Sequence, residues 1–411
     1  MWLIGSRLRD NEAMFRAVLC AMPLLLACLV VQPRTAPLDV ASALALYERA
    51  QYSEFGDLID RAEDLSGRFG AFDTQADRWI AAAGETARDK RRVVAASVAL
   101  EIAHRLRREP PELPGNYLVW ASLVMRQTSG LSSETERAWH IAVLAGMEEL
   151  DFPWILPVGT PAGNQALDLL RQRLGQGGQL SVSLKRFPDE PRFHLAQAEA
   201  AEGLGLGYNT RWPRFVPAFL DLVKKNATSA VPEEPRSAAE RNILARRQSA
   251  ARTLAELSNL PRVQAGFQSL MRFPELRGEI ELHLGYLDAE GMQWTSGLAH
   301  FAQVRNLTEE PYLRYLAEYL AGRTLQATGD LKSAREAFEH AHEILPHARS
   351  ASTQLAVELL ATDSASDANR AYSLLRFAYA EPPPPDPWEL FDHGDARLWP
   401  VHMARLQVAL R

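Results

Sequence analysis

The side chains that most often bind metals are few and scattered in this chain. His340, His342 and His347 fall close together, but on one helix His340 and His347 share a face while His342 points away. A zinc site on a helix favours histidines at i and i+4, with added acidic residues. The spacing therefore predicts a solvated helix face, and we expect no metal and no other cofactor.

Motifs of the common enzyme classes are missing from the sequence. It contains no H-E-x-x-H, no G-x-S-x-G and no P-loop, and the glycine-rich stretch 203–207 follows no predicted strand. The two cysteines, Cys20 and Cys28, both lie near the amino terminus, so no thiol nucleophile or disulfide framework is expected further along. The sequence predicts no catalytic residue. An enzyme that uses dispersed acidic residues in 37–235 stays an alternative.

Composition and charge narrow the class of protein. The chain has 411 residues, of which 47% are hydrophobic and 23% charged, as in ordinary globular proteins. This usage argues against a disordered chain and against a polytopic membrane protein. The formal net charge is -6, whereas a nucleic-acid or anionic-membrane partner requires a basic stripe. We therefore expect no nucleic-acid partner.

The amino terminus has the pattern of an export signal. Residues 17–31 carry no charge and follow three arginines, and the run is shorter than the about 20 apolar residues of a membrane span. Leu-Leu-Ala-Cys at 25–28 resembles a bacterial lipobox, which would place a lipid on Cys28. Lipidation, cleavage and a retained anchor remain three alternatives for residues 1–36. Each predicts a bacterial protein that is exported to the periplasm or anchored in the envelope, with membrane contact only through this segment.

Two series of positions repeat along the carboxyl half with one spacing. A small residue is followed 16 positions later by an aromatic residue, and successive units are separated by 34, 37 and 34 residues. This spacing is typical of helical hairpins, in which a small residue on the first helix lets the second approach and an aromatic fills the space between units. The small residues are Ala251, Gly285, Gly322 and Ala356, and the aromatic residues are Phe267, Phe301, Phe338 and Tyr372.

The unit at 315–346 resembles the tetratricopeptide family. The resemblance is carried by Ala321-Gly322, Leu325, Gly329-Asp330, Ala334-x-x-x-Phe338, Ala341 and Pro346. The unit departs from the family at the first-helix Trp position, which is Glu318. The resemblance implies an all-α fold, an α-solenoid of stacked antiparallel helix hairpins that form a tetratricopeptide-like superhelix.

Breaks in the helical pattern divide the chain into regions. Arg-Phe-Pro-Asp at 186–189 recurs as Arg-Phe-Pro-Glu at 272–275, each between two helical segments. A last helix is expected to cover the open end of the solenoid. The predicted regions are the export or anchor segment 1–36, an irregular helical-hairpin region 37–150, degenerate repeats with a long connection at 164–235, tetratricopeptide-like repeats at 236–380, and a Pro-rich segment with a capping helix at 381–411.

The family resemblance also implies where a partner binds. In tetratricopeptide arrays the first helix of each pair lines a concave groove, and the matching positions here are Tyr286, Glu290, Tyr319, Arg323, Gln326 and Thr353. Tyr286 and Tyr319 would stack on a bound peptide, and Arg323 would hold a carboxylate. The row lacks the Lys/Arg cluster that carboxylate-binding members of the family use.

These observations predict a non-catalytic scaffold of the cell envelope that binds a protein or peptide segment in its concave groove. A lipid-anchored assembly factor of an outer-membrane or secretion complex is one alternative. An enzyme with a site in 37–235 is the other. The sequence makes no prediction of the oligomeric state.

Overall fold

A computed structural model describes residues 36–107, 109, 112–125, 127–149, 179–206, 224–228, 237–362, 364–379, 386–388, 390–391 and 396–411. These residues are almost entirely helical, which confirms the prediction of an all-α chain. The exception is a parallel pairing of two two-residue strands, β1 (Ala36–Pro37) and β2 (Ala62–Glu63). Cys28 and the rest of the predicted export segment before Ala36 lie outside the described residues. None of the helices in these ranges is both long and apolar enough to cross a membrane.

The chain divides into two compact units, Met1–Trp139 with Arg405–Arg411, and His140–Ala404. The helices of the first unit pack around a core that includes Tyr47, Phe72 and Tyr117, all of them buried. They are α1 (Val40–Glu48), α2 (Tyr52–Asp60), α3 (Phe69–Ala81), α4 (Glu85–Arg105) and α5 (Glu112–Met125), and α6 (Ser133–Glu149) crosses the boundary between the units in sequence.

The second unit contains the repeat region. Its helices are α7 (Gln179–Arg186), α8 (Pro191–Leu206), α9 (Ala238–Ser258), α10 (Leu260–Ser269), α11 (Arg277–Glu290), α12 (Trp294–Leu307), α13 (Pro311–Thr328), α14 (Leu331–Ile344), α15 (Arg349–Leu360) and α16 (Ala365–Ala378). The last helix, α17 (Trp399–Ala409), begins in this unit and ends in the first.

Helices α11 to α16 pack as three successive hairpins. A Cβ atom added to Gly285 would lie 2.6 Å from the Phe301 ring, and one added to Gly322 would lie 2.6 Å from the Phe338 ring. A Cβ atom on Gly297 would lie 3.0 Å from the Gly285 carbonyl oxygen. Glycine is thus required where the second helix comes closest to the first.

Local signals fix the turn of the middle hairpin. Gly329 ends α13 with φ of +84°, a left-handed conformation that glycine adopts without strain. Asp330 then caps α14, because its carboxylate accepts the backbone N–H of Ser333 at 3.1 Å. The two hydrogen bonds from Ser333 lower the pKa of Asp330. The Gly-Asp pair therefore stops one helix and starts the next within two residues.

The third hairpin departs from the predicted repeat. Tyr372 does not fill the space between helices, because 66% of its surface is exposed, whereas the neighbouring Ala371 is fully buried. Adjacent residues on an α-helix point about 100° apart, so a shift of one residue moves the aromatic ring outward. Ala356 and Phe267 are buried. Ala251 lies in α9, and its side chain is outside the described part of the chain.

Candidate functional site

A short segment near the carboxyl terminus lies on the first helices of the hairpins. We name residues 386–388 and 390–391 the closing segment, and the surface of α11, α13 and α15 beneath it the inner face. The Trp388 ring centroid lies 6.1 Å from that of Tyr286 and 5.5 Å from that of Tyr319. The Phe391 ring centroid lies 5.1 Å from that of Tyr286. Aromatic rings from the closing segment therefore cover the tyrosines of the inner face.

Polar contacts hold the closing segment in one register. The Tyr312 hydroxyl donates to the Leu390 carbonyl oxygen at 2.9 Å. The Asp386 carboxylate accepts the backbone N–H groups of Ser350 at 2.7 Å and of Trp388 at 2.8 Å. Ser350 lies in the first turn of α15, whose own N-cap residue, Ala348, provides no side-chain cap. Asp386 thus satisfies a helix N-terminus from a distant part of the chain.

The closing segment corrects the predicted partner groove. Tyr286, Glu290, Tyr319 and Arg323 are all buried, so the prediction that they face a partner is wrong for this structure. Burial raises the pKa of the Tyr319 hydroxyl, although Arg323, which donates to it at 3.2 Å, acts in the opposite direction. The groove that the sequence assigned to another protein holds a segment of the chain itself.

The two remaining groove residues are half-buried and bond within the hairpins. The Gln326 side-chain amide donates to Glu358 at 2.6 Å, which links α13 to α15. The Thr353 hydroxyl lies 3.3 Å from that of Tyr379. The structure therefore does not gather the predicted groove residues into one open site. Sequence reasoning missed the role of Asp386, Trp388 and Phe391. The one signal in the sequence that could have indicated it is the density of aromatic residues after the repeats.

A buried histidine lies at the edge of the inner face. The His283 ring stacks between the rings of Phe267 and Phe391, at centroid distances of 4.6 and 4.7 Å. Its Nδ1 lies 2.7 Å from Glu202 and its Nε2 lies 3.3 Å from Glu199. Burial opposes the charged form, but the two carboxylates outweigh it and raise the pKa of His283 to about 9. The imidazolium fastens α8 to α11 at neutral pH.

The surroundings of His283 do not suit catalysis. Both ring faces are covered by phenylalanine, and almost none of the side chain is exposed. A general acid or base must come within hydrogen-bond reach of a substrate. This cluster is therefore a structural ion pair, although Glu199 and Glu202 fall in the region where the sequence left an enzyme as an alternative.

A second buried charge network joins the same elements. Arg192 makes a bidentate pair with Glu279, at 2.5 and 3.1 Å. Arg397 reaches the same carboxylate at 3.1 Å and Glu310 at 2.7 Å. Burial disfavours the charge on Arg397, but the two glutamates more than compensate and raise its pKa. Arg397 is thus anchored on α11 and on the N-cap residue of α13.

Part of the surface of the last hairpin is apolar and exposed. We name the exposed apolar side chains Val357, Leu360, Tyr372 and Tyr379 the outer face. Val357 and Leu360 follow Thr353 at i+4 and i+7, so they share one stripe of α15. The hydroxyl contact between Thr353 and Tyr379 places the Tyr372–Tyr379 stripe of the antiparallel neighbour beside it.

Comparisons with known proteins identify no relative. A scan against protein-family models gives no match for this chain, and neither does a search of curated proteins. Within the described ranges, no group of three or more His, Cys, Asp or Glu side chains could hold a metal ion.

Proposed function

We propose that this chain is a non-catalytic protein-interaction scaffold of the bacterial cell envelope, built as a tetratricopeptide-like solenoid. The observation that supports this proposal most directly is the outer face of α15 and α16. The inner face is occupied by the closing segment, so the partner binds where the hairpin ladder ends.

The outer face has the character of an interaction surface. Val357, Leu360, Tyr372 and Tyr379 are each between 44% and 66% exposed. They lie on α15, on α16 and at the C-cap of α16. Contiguous exposed apolar patches mark sites of protein interaction. The end unit of a helical array normally carries a polar outer surface that keeps the array soluble. An apolar end surface instead favours a further helix packed against it.

The charge on the outer face indicates the partner's chemistry. Arg376 follows Tyr372 at i+4 and precedes Tyr379 by three residues, so it lies on the same exposed stripe. Among the described residues it forms no ion pair. We propose that the partner contributes an amphipathic helix whose apolar side covers the two tyrosines and whose acidic residue pairs with Arg376.

A photo-cross-linking experiment tests this function. A photoreactive amino acid at position 372 of the full chain should capture a partner in the native envelope, whereas the same residue at position 123 should not. Val357→Asp should weaken capture by at least about tenfold, because it places a charge in an apolar contact. Leu123→Asp is the matched control, since Leu123 and Val357 are both 51% exposed. Equal capture from positions 372 and 123, or by the two Asp variants, would overturn the proposal.

The lipid-anchored alternative depends on Cys28, which lies outside the described residues, and it stays a prediction. Metabolic labelling with palmitate compares the wild type with Cys28→Ser. Label that disappears in the variant would establish the anchor. The alternative of an enzyme with a site in 37–235 also stays a prediction.

A further inference from the structure

A cleft separate from both faces of the hairpins lies between α8 and α10. Its volume is about 650 Å³, which is in the range of small-molecule sites. His194, Gln197, Ala198 and Ala201 of α8 line one side, and their spacing puts them on one helix face. The other side is formed by α10 and the turn that follows it, at Asn259, Arg262, Val263, Gly266, Ser269, Leu270 and Arg272.

The floor of the cleft is small and apolar. Ala198, Ala201 and Gly266 contribute little or no side-chain volume, with Val263 and Leu270 beside them. A Cβ atom added to Gly266 would meet nothing within 4 Å. Gly266 lies inside a helix, where alanine is the better helix former, and no close packing requires the glycine. The Cβ position of this lining residue is therefore open space.

Two arginines are the only Arg, Lys, Asp or Glu side chains in the described lining. Arg262 and Arg272 are exposed, and neither forms an ion pair within the described residues. The Arg272 guanidinium lies 4.7 Å from the centre of the Phe273 ring, so it is held by an aromatic contact and its N–H donors remain for a ligand. The described lining contains no Asp or Glu, although the chain as a whole is acidic.

The two copies of the Arg-Phe-Pro motif meet at this cleft. His194 donates its Nε2 hydrogen to the Pro188 carbonyl oxygen of the first copy at 2.6 Å. Its ring also stacks on Phe273 of the second copy, at 5.6 Å between centroids. Phe273 thus contacts both His194 and Arg272. The contacts of His194 with both copies of the motif therefore hold one side of the cleft in place.

We propose that this cleft binds a small organic anion, with a carboxylate or phosphate head between Arg262 and Arg272 and a short apolar body on the Ala198–Gly266 floor. Two guanidinium groups provide bidentate donors to either head. The apolar floor selects an organic ligand over a free inorganic ion. The cleft is distinct from the outer face, so this site does not depend on the proposed scaffold role.

Titration calorimetry of the full chain tests the site with hexanoate and phenyl phosphate as probes. Hexanamide and benzyl alcohol serve as the neutral counterparts. Saturable binding of at least one anion, at least about tenfold tighter than its neutral counterpart, is expected because the charge supplies the contact with the arginines. Tighter binding of hexanoate assigns the site to carboxylates, and tighter binding of phenyl phosphate assigns it to phosphate esters.

Two variants separate the site from general stability. Arg262→Gln combined with Arg272→Gln should weaken anion binding at least about tenfold, whereas Arg241→Gln, an exposed arginine of α9 outside the lining, should leave it unchanged. Gly266→Leu extends a side chain from a position where an added Cβ meets nothing within 4 Å, and it replaces a poor helix former, so the protein should keep its melting temperature while binding is lost.

Three results would overturn the proposal. One is the absence of saturable binding of either anion to the wild type. Another is equal binding of the anions and their neutral counterparts. The third is anion binding that persists in both the double Gln variant and Gly266→Leu, which would place the ligand elsewhere on the molecule.

Discussion

The inner face and the outer face belong to the same ladder of hairpins but differ in what covers them. On the inner face, Tyr286 and Tyr319 are buried beneath Trp388 and Phe391. On the outer face, Tyr372 is exposed to solvent. In both cases helix periodicity determines only which side of its helix the tyrosine lies on. Whether that face is a core or a binding surface depends on a segment that is distant in sequence.

The two faces also treat charge differently. The inner side of the ladder buries His283 and Arg397 only where carboxylates from other helices meet them. Buried charges require such partners, because the loss of water costs several kcal/mol per ion. On the outer face Arg376 is exposed and needs no partner to remain charged. Charges on the inner side therefore hold the fold together, and the outer charge is available to another molecule.

The largest expected effect separates two aromatic residues at the same repeat position. Phe338→Ala should lower the free energy of unfolding by about 3–5 kcal/mol, because Phe338 is fully buried against Gly322. Tyr372→Ala should change it by no more than about 0.5 kcal/mol, as for most exposed positions. Denaturant unfolding followed by circular dichroism measures both. Similar losses in the two variants would show that the outer face is buried in solution.

The next expected effect is a pH dependence of the free energy of unfolding, which arises from His283 at the edge of the inner face. The pKa of His283 is about 9 in the folded protein and near 6.5 in an unfolded chain. The charged histidine therefore stabilises the fold fully below pH 6.5, and this contribution is lost as the pH rises through 9. A shift of this size corresponds to on the order of 3 kcal/mol. The denaturation midpoint of the wild type should fall between pH 7 and 10.

His283→Gln is the control for this pH dependence. The variant should be less stable at pH 7, since Glu199 and Glu202 lose their cation, and its midpoint should fall less steeply between pH 7 and 10. Val357→Ser on the outer face should retain the wild-type pH profile. A wild-type profile that is flat over this window would mean that His283 is neutral in the folded protein.

Alanine substitutions at two glycines should have opposite effects on stability, because one glycine is closely packed and the other is not. Gly322→Ala should destabilise the protein by about 1–3 kcal/mol, because the added Cβ meets the Phe338 ring at 2.6 Å. Gly266→Ala meets nothing within 4 Å and should stabilise the protein by up to about 1 kcal/mol through helix propensity. Thermal melts of both variants measure the difference. A stabilising Gly322→Ala would show that the second helix can move away from the first.

The sequence predicts the hairpins well because their signals are local. The glycine and aromatic positions, the Gly329-Asp330 turn and the apolar stripes all lie within one helix pair, and the structure places Gly285 on Phe301 as that logic requires. The register of the last hairpin is different. A shift of one residue exposes Tyr372 and buries Ala371, and local spacing cannot distinguish the two when alanine and tyrosine are adjacent.

The candidate site was less predictable because it depends on contacts between distant residues. Asp386 caps a helix that begins 37 positions earlier, and the rings of the closing segment reach tyrosines up to 105 positions away, from Phe391 to Tyr286. Nothing in the local pattern of α11 or α13 distinguishes a groove left open for a partner from one filled by the chain itself. The cleft at Arg262 and Arg272 was missed for the same reason, since α8 and α10 meet only in the folded unit.

The smallest expected effect tests whether the last hairpin is stabilised by its own helix cap. Ser364 caps α16 by accepting the backbone N–H of Asp367 at 3.3 Å. Ser364→Ala should cost about 1 kcal/mol, and Ser364→Asn should restore most of it, because asparagine caps helices equally well. The loss should be the same at pH 7 and pH 10, since the cap is distant from the charge on His283 in sequence and belongs to another hairpin. A loss of stability that appears only at pH 7 would mean that the helix cap of α16 is energetically coupled to the charge on His283. The outer face would then not be independent of the inner face.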